Sequence, residues 1–229
     1  MKKISNYFTK FEKCLWTLSI LLILISFCIF NRENYMTLIA SLIGATYLIF
    51  NAKGNPIGQF LTIVFSILYG IISYKFAYYG EMLTYLGMTM PMALFAFISW
   101  LKNPYEKGKA EVKLNKISKI EIAFMLVLTL IVTVFSYFVL KYFNTANLIL
   151  STISVSTSFL AVYLTFRRSP YFALAYAMND IVLIILWALA SITDISYLSV
   201  VICFIVFLVN DMYGFLSWKR IEKKQNLRM

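Results

Sequence analysis

The chain contains no histidine, which removes together the commonest general base and the commonest metal ligand. That argues against hydrolytic zinc chemistry. Cysteine is scarce as well: Cys14, Cys28 and Cys203 each stand in an apolar stretch without CxxC spacing, so they read as small packing residues, not a disulfide framework. Nor is there a GxxxxGK[ST] phosphate loop; the one Gly-Lys pair, Gly108-Lys109, lacks the preceding glycine, which argues against direct ATP hydrolysis. Charge is also thin, at 14% of 229 residues, against 61% hydrophobic and 17% aromatic. That much apolar surface exceeds what a soluble core of this size can bury, so the chain is read as an integral membrane protein.

Apolar runs long enough to cross a bilayer fall near residues 14-30, 35-51, 57-79, 82-101, 119-141, 144-165, 171-192 and 196-218. The fold expected is therefore an all-α membrane protein of eight transmembrane helices. The first run follows a basic N-terminal segment like a secretory signal, but Asn31-Arg32-Glu33-Asn34 offers no small-residue cleavage site, so it is taken as a retained helix. Net charge is +11, and with the N-terminus inside only Arg32, Lys75 and Lys141 of the 21 basic residues fall outside. Alternate loops thus follow the positive-inside rule, which places both termini in the cytoplasm and explains the basic excess without nucleic acid.

An internal duplication is visible at the helix ends. Tyr47-Leu48-Ile49-Phe50 recurs as Tyr163-Leu164-Thr165-Phe166, and Phe97-Ile98-Ser99-Trp100 as Phe215-Leu216-Ser217-Trp218. Spans two to four then repeat as spans six to eight in the same orientation, a parallel arrangement from which transporters build a central path. The divisions expected are an N-terminal helix with its basic segment (1-34), a first three-helix repeat (35-101), a cytoplasmic loop and linker helix (102-141), a second repeat (142-218) and a basic tail (219-229). Trp100 and Trp218 are read as interfacial anchors, and Pro91, midway along span four, as a kink that frees the carbonyl of Gly87.

Polarity inside the spans is concentrated in the second copy, in Asn179-Asp180 and Asn210-Asp211. A carboxylate at helix centre costs about 2.5 to 3.5 kcal/mol on insertion scales, so a ligand or ion path is the default reading. Asp180 lies about 13 Å into its span at 1.5 Å per residue. These side chains are expected to face a solute-sized cavity enclosed by protein.

The chain resembles the PnuC family of bacterial vitamin transporters, whose best-known members carry nicotinamide riboside. The resemblance covers roughly residues 45 to 220 and rests on Gly58-Gln59, the turn Tyr79-Gly80-Glu81-Met82, Asn179, and Leu208-Val209-Asn210 with Gly214 and Trp218. It implies two three-helix units around a linker helix (3+1+3), facilitated passage of an unphosphorylated vitamin trapped by a cytoplasmic kinase, and homotrimers in the bacterial plasma membrane. One departure bears on the substrate. In the riboside carriers tryptophans precede the counterpart of Asn179 by seven and four residues, whereas Phe172 and Ala175 stand here, near Tyr171 and Tyr176.

A site for a pyridinium riboside needs aromatic faces beside the cation and amides or carboxylates around the sugar. Tyr69, Phe172, Tyr176 and Trp187 are the ring contacts expected, Gln59, Asn179 and Asn210 the polar contacts, and Asp180 and Asp211 the charge complement. Thiamine is also cationic and suits the same electrostatics; neutral riboflavin suits them less. Uniport and proton-coupled transport both remain open at this point, as does a substrate-capturing subunit of an ATP-driven importer. An intramembrane enzyme is disfavoured because no nucleophile with a base is found, and no cofactor is implied. Asn179→Leu is expected to abolish vitamin binding without unfolding the chain.

Overall fold

Hydrocarbon offers the backbone no hydrogen-bond partner, so each apolar run closes its own as a helix. The computed structural model describes residues 7–75 and 79–227. Among them are eight helices long and apolar enough to cross a membrane: α1 (Lys10–Phe30), α2 (Tyr35–Ala52), α3 (Pro56–Lys75), α4 (Tyr79–Lys102), α5 (Lys119–Tyr142), α6 (Leu148–Phe166), α7 (Phe172–Ser191) and α8 (Leu198–Asn226), the last entered through a 3-10 turn, Ile195–Tyr197. The end of the third apolar run, 76–78, lies outside the described residues.

The boundaries differ from the sequence reading where capping chemistry extends them. α1 begins before Cys14 because Thr9 and Glu12 form a capping box, each side chain bonding the other's backbone N–H. Glu12 is then buried between Lys53 at 3.4 Å and the Tyr213 hydroxyl at 2.9 Å, which ties α1 to α2 and α8. The basic tail is not separate: α8 runs on to Asn226, and Gln225 donates to the Val112 carbonyl at 3.0 Å.

Contacts between helices close a ring. α2 packs on α3, α3 on α4, α4 on α6, α6 on α7, α7 on α8, and α8 returns to α2, while α5 lies outside against α6 and α1 outside against α2 and α8. The two triplets, α2–α4 and α6–α8, meet through reciprocal bonds. The Trp100 indole N–H donates to the Thr165 carbonyl at 3.0 Å, and the Trp218 indole N–H to the Asn51 carbonyl at 2.7 Å, so the last helix of each triplet binds the first helix of the other. Trp100 and Trp218 are 1% and 0% exposed with ring centroids 5.3 Å apart, which corrects their reading as interfacial anchors. An indole at a helix end seeks an acceptor for its N–H; here the partner triplet supplies it.

Pro91 acts on the turn before it. Residues Leu83–Thr89 form a π-helical stretch, with the Met90 N–H donating to the Tyr85 carbonyl five residues back. Proline has no N–H for the carbonyl of Gly87, and the backbone just before it takes the wider π form. Such π turns gather at functional sites.

The loop 103–118 is strapped across the end of the ring at which α1 starts and α8 finishes, the inner end by the sequence reading. The Val112 N–H donates to the Gly54 carbonyl at 3.0 Å, the Leu114 N–H to Gln225 Oε1 at 2.9 Å, and Lys224 pairs with Glu111 at 2.9 Å. Val112, 1% exposed, packs with Trp100, Phe172 and Trp218 into a hydrophobic plug across the inner end of the ring.

Candidate functional site

Inside the ring the helices contribute aromatic side chains at successive depths. Trp187 of α7 stands edge-on to Tyr69 of α3 at 6.5 Å, Tyr69 meets Tyr85 of α4 at 4.5 Å and stacks on Phe65 at 5.4 Å, and Phe65 reaches Tyr47 of α2 at 5.3 Å and Phe207 of α8 at 5.9 Å. Phe204 joins from α8, 6.1 Å from Tyr69. Every helix of the ring except α6 thus adds a ring to one continuous column. Glycine permits the close approach at Gly44, where a Cβ would collide with the Phe207 ring.

At the inner end of this column the carboxyls of Asp180 (α7) and Asp211 (α8) face each other within hydrogen-bonding reach, 4% and 5% exposed. Tyr47, Tyr85 and Tyr176 all lie within electrostatic range of Asp180. Among the described residues no Lys or Arg forms an ion pair with either carboxyl, and Asp180 Oδ2 has no hydrogen-bond partner. Among the described residues, the two acids thus lie at depth without the cation that would normally offset them.

The other expected site residues are distributed differently. Asn179 turns toward α6, where its Oδ1 accepts from Thr157 at 2.8 Å, Ser158 at 3.1 Å and Ser154 at 3.4 Å. Asn210 turns outward to α1, its Nδ2 donating to Ser19 Oγ at 2.9 Å and to the Val206 carbonyl at 2.8 Å, while its buried Oδ1 has no partner among the described residues. Gln59 donates to Asn51 Oδ1 at 2.8 Å, beside the carbonyl that Trp218 binds. Phe172 lies in the inner plug, 4.7 Å from Trp218, and Tyr176 spans the gap between that plug and the carboxyl pair. The structure thus brings together Tyr69, Trp187, Tyr176, Asp180 and Asp211 along the axis, and sets Gln59, Phe172, Asn179 and Asn210 at its walls and inner end.

Several axial residues escaped the sequence reading. Tyr47 had served only as a marker of the repeat, and Tyr85 and Phe65 carried no motif. Glu81 stood just outside the span assigned as 82-101, yet the helix starts at Tyr79 and buries it to 5% exposure. An acid within the first turn of a helix was the available signal.

Rings fill the space expected to hold a solute, the inner end is plugged, and the outer end keeps a cavity of about 170 Å³ lined by Glu81 and Trp187. Typical sites for small ligands run from about 300 Å³ upward, so this cavity is smaller than a site for a whole vitamin.

A family model described as nicotinamide mononucleotide transporter matches residues 34–220. The nicotinamide riboside transporter PnuC of Neisseria mucosa is 26% identical over 223 residues, covering 95% of this chain and 84% of that protein. A solved structure of the vitamin B3 transporter PnuC superposes with a TM-score of 0.82 at 22% identity, covering 95% of this chain and 94% of the other.

Proposed function

The chain belongs to the nicotinamide mononucleotide transporter family, and from that premise we propose that it carries nicotinamide riboside into the cell by facilitated diffusion. One observation supports the substrate class above the rest: the Asp180–Asp211 pair sits at the foot of an aromatic column with no protein cation among the described residues to neutralise it. A ligand with a fixed positive ring supplies that charge, and the rings of Tyr69, Tyr85 and Tyr47 offer it faces on the way.

Passage then requires the rings of the column to part and the inner plug to open. The π turn of α4 is the weak point in the backbone from which such movement starts, and the strap carrying Val112 is the part that must lift on the cytoplasmic side. Uniport suffices, with a cytoplasmic kinase trapping the product. Both termini face the cytoplasm of a bacterial cell by the distribution of Lys and Arg, and the chain assembles as a homotrimer.

Purified protein in liposomes tests this reading. Uptake of labelled nicotinamide riboside without ATP, at a rate unchanged by an imposed pH gradient, is the expected result. Thiamine is the second substrate to assay, because it too is a cationic aromatic and because Phe172 and Ala175 replace the two indoles of the riboside carriers. Preference for neutral riboflavin, or dependence on a co-purifying ATPase, refutes the proposal.

A further inference from the structure

The outer cavity combines features that the transport reading leaves unused. It is about 170 Å³ and is lined by Glu81 of α4, Thr145, Asn147 and Ser151 at the start of α6, and Trp187 and Thr193 at the end of α7. Among the described residues, two polar atoms on its wall are buried without a hydrogen-bond partner: Glu81 Oε2 and Thr145 Oγ1. Glu81 is 5% exposed, so water does not screen its carboxyl freely, and among the described residues it forms no ion pair. An orphaned carboxylate and an orphaned hydroxyl on one small cavity are costly to leave unmet. Opposite them stands the Trp187 indole, which leads through Tyr69 into the column.

The size of the cavity narrows the ligand. A space of about 150 Å³ holds benzene, so 170 Å³ admits one six-membered ring but not a nucleoside. A carboxylate and an indole together favour a flat ring bearing positive charge, and the hydroxyl is placed to bond a polar substituent on that ring.

We propose that Glu81, Thr145 and Trp187 form an outer reception site that takes the charged ring of the substrate before it enters the column, with the rest of the molecule still outside. This rests on the substrate class proposed above. Glu81 precedes the π stretch Leu83–Thr89 by one residue, Met82, so a ligand bound there bears directly on the turn that must rearrange. The site selects for charge at the entrance, and the Asp180–Asp211 pair meets the same ring deeper in.

The test compares two probes of nearly identical shape, nicotinamide riboside and its neutral dihydro form, by initial uptake into liposomes containing the purified chain. The wild-type protein is expected to favour the cation about tenfold, Glu81→Gln to collapse that preference to within about twofold by slowing the cation alone, and Glu81→Asp to keep it. Thr145→Val is expected to slow both forms about fivefold, the effect of one hydrogen bond. If Glu81→Gln is not monodisperse in detergent, Glu81→Asp and Thr145→Val decide the matter: a lost preference in the first or unchanged uptake in the second overturns the proposal. It is overturned equally if Glu81→Gln keeps the wild-type preference or slows both forms alike, which marks Glu81 as structural. Failure of the wild-type protein to carry either form refutes the transport reading instead, so the two failures are distinguishable.

Discussion

Asp211→Asn is the substitution that isolates the charge of the inner pair. The amide matches the carboxyl in shape, so the packing of α8 against α7 is kept, and its N–H can donate to Asp180, whose Oδ2 now has no partner. The folded state is therefore expected to hold or gain stability, with a melting temperature in detergent equal to or above that of the wild type. Binding moves in the other direction. A cation about 5 Å from a carboxylate at an effective dielectric of about 20 gains about 3 kcal/mol, but two carboxyls this close share one proton that the cation must expel to meet both charges, so loss of Asp211 weakens a cationic vitamin about tenfold while leaving a neutral ligand within about twofold. Equilibrium binding of labelled nicotinamide riboside to purified protein, with riboflavin as the neutral control, reads both numbers. Affinity for the cation within about twofold of the wild type would falsify the assignment of this pair as the charge complement.

Asn179→Leu removes the acceptor shared by Ser154, Thr157 and Ser158 and is expected to cost about 0.6 to 1.7 kcal/mol in stability, read as earlier thermal unfolding in detergent. The structure thus adds a modest stability cost to the loss of vitamin binding expected from the sequence. Trp100→Phe and Trp218→Phe each lose one indole bond across the ring, worth about 1 kcal/mol; because the two rings are in contact, a double-mutant cycle should show coupling of about 0.5 kcal/mol or more. Independent effects would mean that the reciprocal bonds do not act as one clasp. Gln225→Ala releases the bonds of Gln225 to Glu111, Val112 and Leu114 and leaves the Lys224–Glu111 pair in place; trypsin is expected to cut loop 103–118 several-fold faster at Lys107, Lys109 or Lys113, and unchanged cleavage would mean that the Lys224–Glu111 pair holds the strap.

The same residues show why some of the site was legible and some was not. Asn179, Asp180, Asn210 and Asp211 announced themselves because polar groups are expensive inside an apolar run, and that expense is local to the sequence. Which way each one faces is not local. Successive positions on a helix differ by about 100°, so within each Asn-Asp pair one residue meets the axis and its neighbour meets another helix: Asp180 faces Asp211, while Asn179 bonds α6 and Asn210 bonds α1. Tyr47, Phe65 and Tyr85 gave no warning, since aromatics are abundant in this chain and only packing separates those that line the axis from those that face lipid.

Composition, run length and the placement of basic residues determined that this chain crosses the membrane eight times, because the cost of burying charge and open backbone in hydrocarbon acts on each segment separately. The order of helices around the ring, the exchange of indole bonds between triplets and the pairing of two acids at the foot of an aromatic column belong to the tertiary structure. They arise from contacts between residues far apart in the chain, as Trp218 and Asn51 are, and the hydrophobic pattern of a helix does not say which neighbour will cover it.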